Sequence, residues 1–315
     1  MAHRVLISEA VAQEGIQYLE QLGYEVKRGR GPQHDLLLED IRDCDAVIVR
    51  VAEIDREIIE QNPQLKVIAK HGAGYDNIDT KAAAEHGVRV VFAPTANSHS
   101  VAEHTMALIL ACAKKIPYMA AAYKQGSPQV RDQHPNDELQ GKCLGLLGLG
   151  RIGMSVARMA MHGFQMRVIA YDPYLPPDRD LEGVTLAGSR EELLAQADYV
   201  SIHVPATPEN VKSIGSREFR LMKSTAILIN AARGKVVDEE ALVRAIRAGE
   251  IGGAGLDVND PEPASPDNPL FQLDSVIMTP HCAGSTKEAL VRMVTDAAQG
   301  IHEVFSGKEP TYKVV

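Results

Sequence analysis

The sequence predicts an α/β protein made of two doubly wound parallel-sheet domains with a cleft between them. Three observations carry that prediction. Short β-rich runs alternate with amphipathic helical runs along most of the chain, the alternation breaks once near the middle, and a second series then begins. Strands that alternate with helices need crossover connections, and these produce parallel sheets. A length of 315 residues fits two domains better than one packed core.

In the first series the strand-like runs are RVLIS, YEVKRG, AVIVR, KVIAKHG and VRVVFA. Between them lie the helical runs AVAQEGIQYLEQLG, HDLLLEDIRDC, DREIIEQNP and DTKAAAEHG. The break is APTANSHSVAEHTMALILACAKKIPYMAAAYKQG, which reads as one long helix with a capping box formed by Ser100 and Glu103. A polar loop, SPQVRDQHPNDELQGK, follows. The second series has strands CLGLLG, MRVIAYD, YVSIHV, AILIN, GGAGLDV and VIMTP. A last helix over STKEALVRMVTDAAQGIHEVFSG, capped by Ser285 with Glu288, carries an apolar face that needs a partner. Packed back on the first unit, it makes that domain discontinuous, with residues 1–98 joined by 286–315 and the second domain spanning 99–285.

Composition narrows the function. Hydrophobic residues make up 45% and charged residues 24%, close to the soluble globular average. A formal charge of -9 without any Lys/Arg-rich run argues against a nucleic-acid or anionic-membrane surface. The longest apolar run, MALILACA, is shorter than the roughly 20 residues that a membrane span needs. Cys44, Cys112, Cys143 and Cys282 lack paired spacing and no signal peptide precedes the first strand, so reduced thiols and a cytoplasmic location are expected. Histidines such as His71, His86, His99, His104 and His134 show no zinc-type spacing, and no metal is expected.

CLGLLGLGRIGMSVARMAMHG sets Gly148, Gly150 and Gly153 in G-x-G-x-x-G spacing between a strand and a helix. Gly148 permits the tight turn, Gly150 lets a pyrophosphate approach the backbone, and Gly153 lets helix pack on strand, while the helix N-terminus offers N–H groups to the anion. Asp172 ends the next strand. An acid there accepts hydrogen bonds from ribose hydroxyls and repels a 2′-phosphate, so the expected cofactor is NAD. Three further groups lie where later strands end, at the edge where open α/β sheets bind ligands: Arg233, Glu262 and His281. The arginine offers a fork for a carboxylate and charge for a carbonyl oxygen. The histidine gives or takes a proton, and the glutamate favours its protonated form. Together they suit hydride transfer between nicotinamide and a 2-oxo or 2-hydroxy acid. Ala231 and Ala232 are small enough to let the ring lie close to the backbone.

These motifs, with HVPATPEN, INAARGKVVDEEAL, GGAGLDV followed by PEP, and TPHCAGSTKEA, resemble those of the D-isomer-specific 2-hydroxyacid dehydrogenase family along essentially the whole chain. The resemblance implies a Rossmann NAD domain and a flavodoxin-like substrate domain. It implies Arg233, Glu262 and His281 as catalytic residues. It extends the cofactor set from the glycines to Arg151, Ile152, His203, Pro205, Thr207, Ala231, Ala232, Asp257 and Gly284, with Asp257 near the carboxamide. KHGAGYDNID is similar to the family's substrate loop, in which N–H groups at Gly72, Ala73 and Gly74 cradle the substrate carboxylate. Arg50 resembles the arginine that phosphoglycerate dehydrogenases place near the substrate's far end. His99 departs from the small or apolar residue common at its position, HCAGST sets its glycine one place later than the commoner pattern, and Cys282 is expected to pack rather than react.

The implied partners are a small 2-hydroxy or 2-oxo acid, of the 3-phosphoglycerate or hydroxypyruvate and glyoxylate class, and a second copy of the chain. The homodimer is expected through the helix from Ser100 and the arm that follows it. Serine feedback through an extra C-terminal regulatory domain, as in long phosphoglycerate dehydrogenases, is not expected. The competing reading is an NAD(H)-sensing binding protein or corepressor, which in this family keeps the Arg-Glu-His set; a chain without long polar tails fits it less well.

Overall fold

The computed structural model describes residues 2–315. In chain order the elements begin β1 (Arg4–Ile7), α1 (Gln13–Gln21), β2 (Glu25–Arg28), α2 (His34–Asp40), β3 (Ala46–Val49), α3 (Arg56–Glu60), β4 (Val67–Lys70), α4 (Thr80–Glu85) and β5 (Arg89–Val91). Next come α5 (Ser98–Ala113), α6 (Ile116–Lys124), α7 (Val130–Gln133), β6 (Cys143–Leu147), α8 (Arg151–Arg158), β7 (Arg167–Tyr171) and β8 (Thr185–Leu186). The chain ends with α9 (Arg190–Gln196), β9 (Tyr199–Ile202), α10 (Ser216–Leu221), β10 (Ile227–Asn230), α11 (Glu239–Arg247), β11 (Gly253–Leu256), β12 (Val276–Met278) and α12 (Lys287–Phe305). Two compact units result, Met1–Ser98 with Gly284–Val315, and His99–Ala283.

The first unit is a five-stranded parallel sheet in the order β2-β1-β3-β4-β5, the flavodoxin-like winding. Its inner strands β1, β3 and β4 are buried on both faces, and the pleat sorts their side chains between two cores. Leu6, Val47, Val49, Ile68 and Val90 meet Leu37, Ile58 and Ala82 from α2, α3 and α4. Val5, Ile7, Ala46, Ile48 and Val67 meet Ile16 and Leu19 of α1 and Val294, Ala297 and Ile301 of α12. The tail returns along β5, where Val314 N–H donates to the Val90 carbonyl at 2.8 Å, so that sheet edge is covered.

The second unit is a seven-stranded parallel sheet in the order β12-β11-β10-β9-β6-β7-β8. Winding outward in both directions from β6, it is the Rossmann arrangement, and its direction reverses between β6 and β9. Leu144 and Leu146 of β6 face Met106 and Ile109 of α5 and Val156 of α8. Cys143 and Leu147 face the other way, toward Leu193, Phe219 and Leu242.

Local expectations shift in five places. The single long helix is two, because Lys115 adopts a left-handed conformation (φ 48°) and α6 restarts with a proline in its first turn. Pro117 lacks the N–H that would continue α5. The first helix begins at Ser98, so Ser100 lies inside it and is not its cap. The cap of α12 is Thr286, whose hydroxyl accepts from the Ala289 N–H at 3.2 Å, rather than Ser285. The polar loop contains α7, and β8 is an added edge strand. Among the described residues no single helix is long and apolar enough to cross a membrane.

Candidate functional site

The glycine turn joins β6 to α8 at the point where the second sheet reverses direction. Gly148 has φ +96°, and a Cβ there would stand 2.7 Å from the His203 carbonyl oxygen, so glycine is required twice over. A Cβ on Gly153 would lie 2.4 Å from the Gly148 carbonyl oxygen, which keeps α8 tight against the turn. Gly150 differs: no atom of the chain lies within 4 Å of its ideal Cβ, and as N-cap of α8 it supplies no side-chain cap. The first N–H groups of α8, from Arg151 and Ile152 onward, have no partner within the helix, the feature by which a helix N-terminus can receive an anion. Asp172 follows β7. Its carboxylate accepts from the Leu149 N–H at 2.9 Å and the Tyr174 N–H at 3.0 Å, which leaves lone pairs for a ligand. His203, beside Gly148, has Nε2 2.9 Å from Ser201 Oγ, and burial pushes its pKa down to about 4, so it is neutral at physiological pH. Pro205 and Thr207 continue that loop, whose Asn210 side-chain amide donates to the Pro205 carbonyl at 3.0 Å.

Arg233 stands on the turn after β10. Buried Asn230 shapes this turn, accepting from the Ala232 N–H at 3.0 Å and donating to the Arg233 carbonyl at 2.9 Å, with Ala231 preceding it. The Arg233 guanidinium donates to the Ala232 carbonyl at 2.7 Å. Gly234 fixes what lies next to it, because an ideal Cβ there would stand 1.9 Å from the Asn259 carbonyl oxygen. Asn259 in turn donates its N–H to Glu262 Oε1 at 3.1 Å. Glu239, an acid that opens α11, accepts from the Asp260 N–H at 2.8 Å and so holds the same loop; Asp238 caps the helix by accepting from the Ala241 N–H at 3.0 Å.

Glu262 Oε2 lies 2.7 Å from His281 Nδ1. The Glu262 hydrogen bond holds the imidazole above its usual value against the opposing effect of burial, with further help from the charges of Glu262 and Asp257; Arg233 opposes it. On the other partner, burial would raise the Glu262 carboxyl, but the His281 hydrogen bond and charge, the Asn259 N–H and Arg233 together bring it below the usual range. Each partner therefore favours the charged form of the other, and Arg233 lies within the field of the pair. His281 itself has φ +49°, an uncommon conformation for a residue with a side chain.

Asp257, expected near the carboxamide, is fully buried and bonded to this turn. Its Oδ1 accepts from the Thr279 hydroxyl at 2.6 Å and the Cys282 N–H at 2.9 Å, and its Oδ2 accepts from the Ala283 N–H at 2.8 Å. Burial would raise this carboxyl; hydrogen bonding from His104, Thr279, Cys282 and Ala283 outweighs it and keeps the group ionised. The Cys282 thiol is pushed up by burial and by Asp257, which leaves it protonated and unreactive. His104, assigned no role from its spacing, joins the cluster from α5 with Nε2 3.1 Å from Thr279 Oγ1 and 3.4 Å from Asp257 Oδ1. No periodicity or motif links these positions in sequence. His99 pairs with Glu103 one turn along the exposed side of α5 at 3.2 Å.

In the first unit, the loop after β4 carries Gly72, Ala73 and Gly74. Gly72 (φ +141°) donates its N–H to the Lys70 carbonyl at 3.0 Å. Among the described residues the Ala73 and Gly74 N–H groups have no such backbone partner. Arg50 follows β3 and donates from Nη1 to the Ala10 carbonyl at 2.8 Å. Its own N–H and that of Val51 are held by Glu9, at 2.9 and 2.6 Å. Gly284 falls in this unit, ahead of α12, where its ideal Cβ would meet the Asn97 side-chain amide at 2.9 Å.

Residues 106–283 match the family model described as D-isomer specific 2-hydroxyacid dehydrogenase, NAD binding domain. D-3-phosphoglycerate dehydrogenase of Archaeoglobus fulgidus is 41% identical over 306 residues, covering 96% of this chain and 58% of that one. The chain thus spans little more than half the length of such relatives. Glyoxylate reductase of Korarchaeum cryptofilum is 36% identical over 318 residues, covering 98% of this chain and 95% of that one. Among solved structures, an NADPH-dependent glyoxylate/hydroxypyruvate reductase from Sinorhizobium meliloti in complex with NADP and malonate superposes with a TM-score of 0.88 at 27% identity, covering 100% and 97% of the two chains. A nicotinamide-dinucleotide-binding unit with the Rossmann winding and these relatives together decide the assignment: the chain belongs to the D-isomer specific 2-hydroxyacid dehydrogenase family.

Proposed function

We propose that the protein is an NAD-dependent oxidoreductase that interconverts a small 2-hydroxy acid and its 2-oxo acid. The observation that carries this reading is the 2.7 Å pairing of His281 with Glu262 in the electrostatic field of Arg233. The bound nicotinamide supplies or receives the hydride. In the reducing direction His281 holds the proton on its imidazole and gives it to the carbonyl oxygen, with Glu262 keeping it charged until then. Arg233 binds the substrate carboxylate and stabilises the oxygen as it becomes alkoxide-like. In the oxidising direction His281 takes the hydroxyl proton. Gly148, Gly150, Gly153 and the N-terminus of α8 hold the pyrophosphate, Ala231 and Ala232 leave room for the ring, and Asp257 orders the His281 turn from below.

Asp172 supports NAD as the working cofactor, since a carboxylate at the end of β7 repels a 2′-phosphate. The Ala73 and Gly74 N–H groups receive the carboxylate of the substrate, and Arg50 bears on its far end. Glyoxylate, hydroxypyruvate and 3-phosphoglycerate are the substrates to test first, the relatives named above acting on this class by name. A second copy of the chain is the proposed partner through α6, an apolar helix with no buried residue, on which Ile116 is 52% and Tyr123 is 70% exposed. The deciding assay follows NADH oxidation with pyruvate, glyoxylate, hydroxypyruvate and phosphohydroxypyruvate side by side. Turnover at background with all four overturns the enzymatic reading and leaves a binding role.

A further inference from the structure

We infer that His104 is a positioning residue for His281: from α5 it completes a hydrogen-bond hub on the buried Asp257 carboxylate, and that hub holds the backbone turn on which His281 stands. The inference rests on the proposed acid–base role of His281.

Three successive N–H groups converge on one residue. His281 N–H donates to the Asp257 carbonyl at 2.8 Å, Cys282 N–H to Oδ1 at 2.9 Å and Ala283 N–H to Oδ2 at 2.8 Å. The left-handed conformation of His281 is unfavourable by itself. The Cys282 and Ala283 hydrogen bonds to a charged acceptor, which are stronger than those to a neutral one, offset it, provided that the acceptor stays ionised and fixed.

The tautomer of His104 follows from its neighbours. Thr279 spends its hydroxyl proton on Asp257 Oδ1 at 2.6 Å, so Thr279 Oγ1 faces His104 Nε2, 3.1 Å away, as an acceptor. His104 Nε2 therefore carries a hydrogen, which it shares between Thr279 and the carboxylate oxygen 3.4 Å away. A carboxylate without solvent contact needs every donor it has, because desolvating an unpaired charge is expensive. His104 brings the side-chain N–H of this hub from an element outside the β11–β12 segment. Without it, Thr279 and Oδ1 are freer to turn, and the His281 ring moves with the N–H groups that follow the carboxylate. His104, Asp257 and Cys282 also place their ligating atoms within 4.8 Å of one another. Asp257 already accepts from the chain on both oxygens and the Cys282 thiol stays protonated, so the cluster reads as a hydrogen-bond hub.

The test compares His104→Leu, His104→Gln and His104→Asn with the unaltered protein in NADH-dependent reduction of glyoxylate or hydroxypyruvate, whichever turns over faster, together with NADH binding by fluorescence titration. Leucine should lower kcat about 10- to 100-fold, the scale of a sub-ångström to 1 Å misplacement, while the Kd for NADH stays within twofold. Glutamine carries an amide N–H to about the place of Nε2 and should recover most of the loss; asparagine is too short and should not. If the leucine variant does not fold, the glutamine and asparagine variants decide, and equal activity of the two overturns the inference. An unchanged kcat for leucine, or NADH affinity falling as far as kcat, also overturns it. His281→Ala separates the levels: if it keeps full turnover the acid–base reading fails and this inference with it, whereas an inactive His281→Ala beside a fully active His104→Leu removes His104 alone.

Discussion

Gly234→Ala should damage turnover more than it damages folding. An ideal Cβ at Gly234 would stand 1.9 Å from the Asn259 carbonyl oxygen, 2.1 Å from its carbonyl carbon and 2.7 Å from its Cα. All three are backbone atoms, so no rotamer change relieves the contact. Real Cβ atoms essentially never come closer than 3.0 Å to such neighbours, and the two strands of chain must therefore part by about 1.1 Å. On one side of that gap stands Arg233; on the other, the Asn259 N–H holds Glu262. A displacement near 1 Å between groups that act together costs roughly 10²-fold in rate. Overpacking itself costs about 1–3 kcal/mol, which lowers the melting midpoint of a unit of this size by about 2–4 °C per kcal/mol. Steady-state NADH oxidation and calorimetry on the same preparation measure both effects. Gly163→Ala is the control, because a Cβ there meets nothing within 4 Å. If Gly234→Ala keeps kcat/KM within threefold of the parent, Arg233 and Glu262 do not work as a spaced pair and the reasoning is wrong.

Arg233→Lys keeps the charge and loses the fork, so kcat/KM should fall about 10²–10³-fold, the scale of one lost transition-state donor; near-normal efficiency would end the bidentate role. For pH dependence, Glu262 raises the His281 imidazole above the ordinary 6.5, so reduction, which needs the protonated ring, should persist above that pH and fade as pH rises through the raised value. Glu262→Gln removes the main cause, and a basic limb that does not move down in that variant contradicts the pairing. NADH should bind more tightly than NADPH, about fivefold or more for one like-charge repulsion of 1–4 kcal/mol. Asp172→Asn, which keeps an acceptor and drops the charge, should narrow the gap; tighter NADPH binding by the parent protein sinks the assignment of NAD. Sedimentation at micromolar concentration should give twice the chain mass, and replacing Ile116 and Tyr123 by serine should yield monomer; a monomeric parent removes the proposed interface.

What the sequence makes legible here are features whose chemistry is local. Strand runs such as AVIV carry their own burial signal, and the crossover rule then turns them into parallel sheets. The glycine turn is legible because its spacing encodes two demands that the turn itself makes, the positive φ of Gly148 and the contact of Gly153 with the Gly148 carbonyl; the approach of the His203 carbonyl to Gly148 is not legible in this way. The break between α5 and α6 has a visible cause in Pro117, yet the apolar run passes straight through it, and periodicity conceals the left-handed Lys115. The shift of the α12 cap from Ser285 to Thr286 is a contest between adjacent hydroxyls that only backbone angles decide. The Gly72 N–H donates to the Lys70 carbonyl, a bond that residue types alone do not announce.

The support beneath His281 is the least legible part, and the reason is physical. Arg, Glu and His announce themselves by reactive side-chain types, whereas Asp257 and His104 bear on a backbone turn that neither occupies, and Thr279 enters it through a backbone carbonyl that any residue would offer. Family resemblance points to Asp257 as an acid near the carboxamide, and says nothing of its part as a buried acceptor for its own chain. His104 lies on a helix whose buried side reads as ordinary core, with Met106, Leu108 and Ile109 around it in sequence. Its donor function appears only when α5 is laid beside the β11–β12 segment, because a hydrogen bond depends on a distance of a few tenths of an ångström that no residue spacing encodes. Substitutions at such positions should therefore leave the reactive residues in place and still change kcat, which makes a kcat loss at constant NADH affinity the signature by which support is told apart from chemistry.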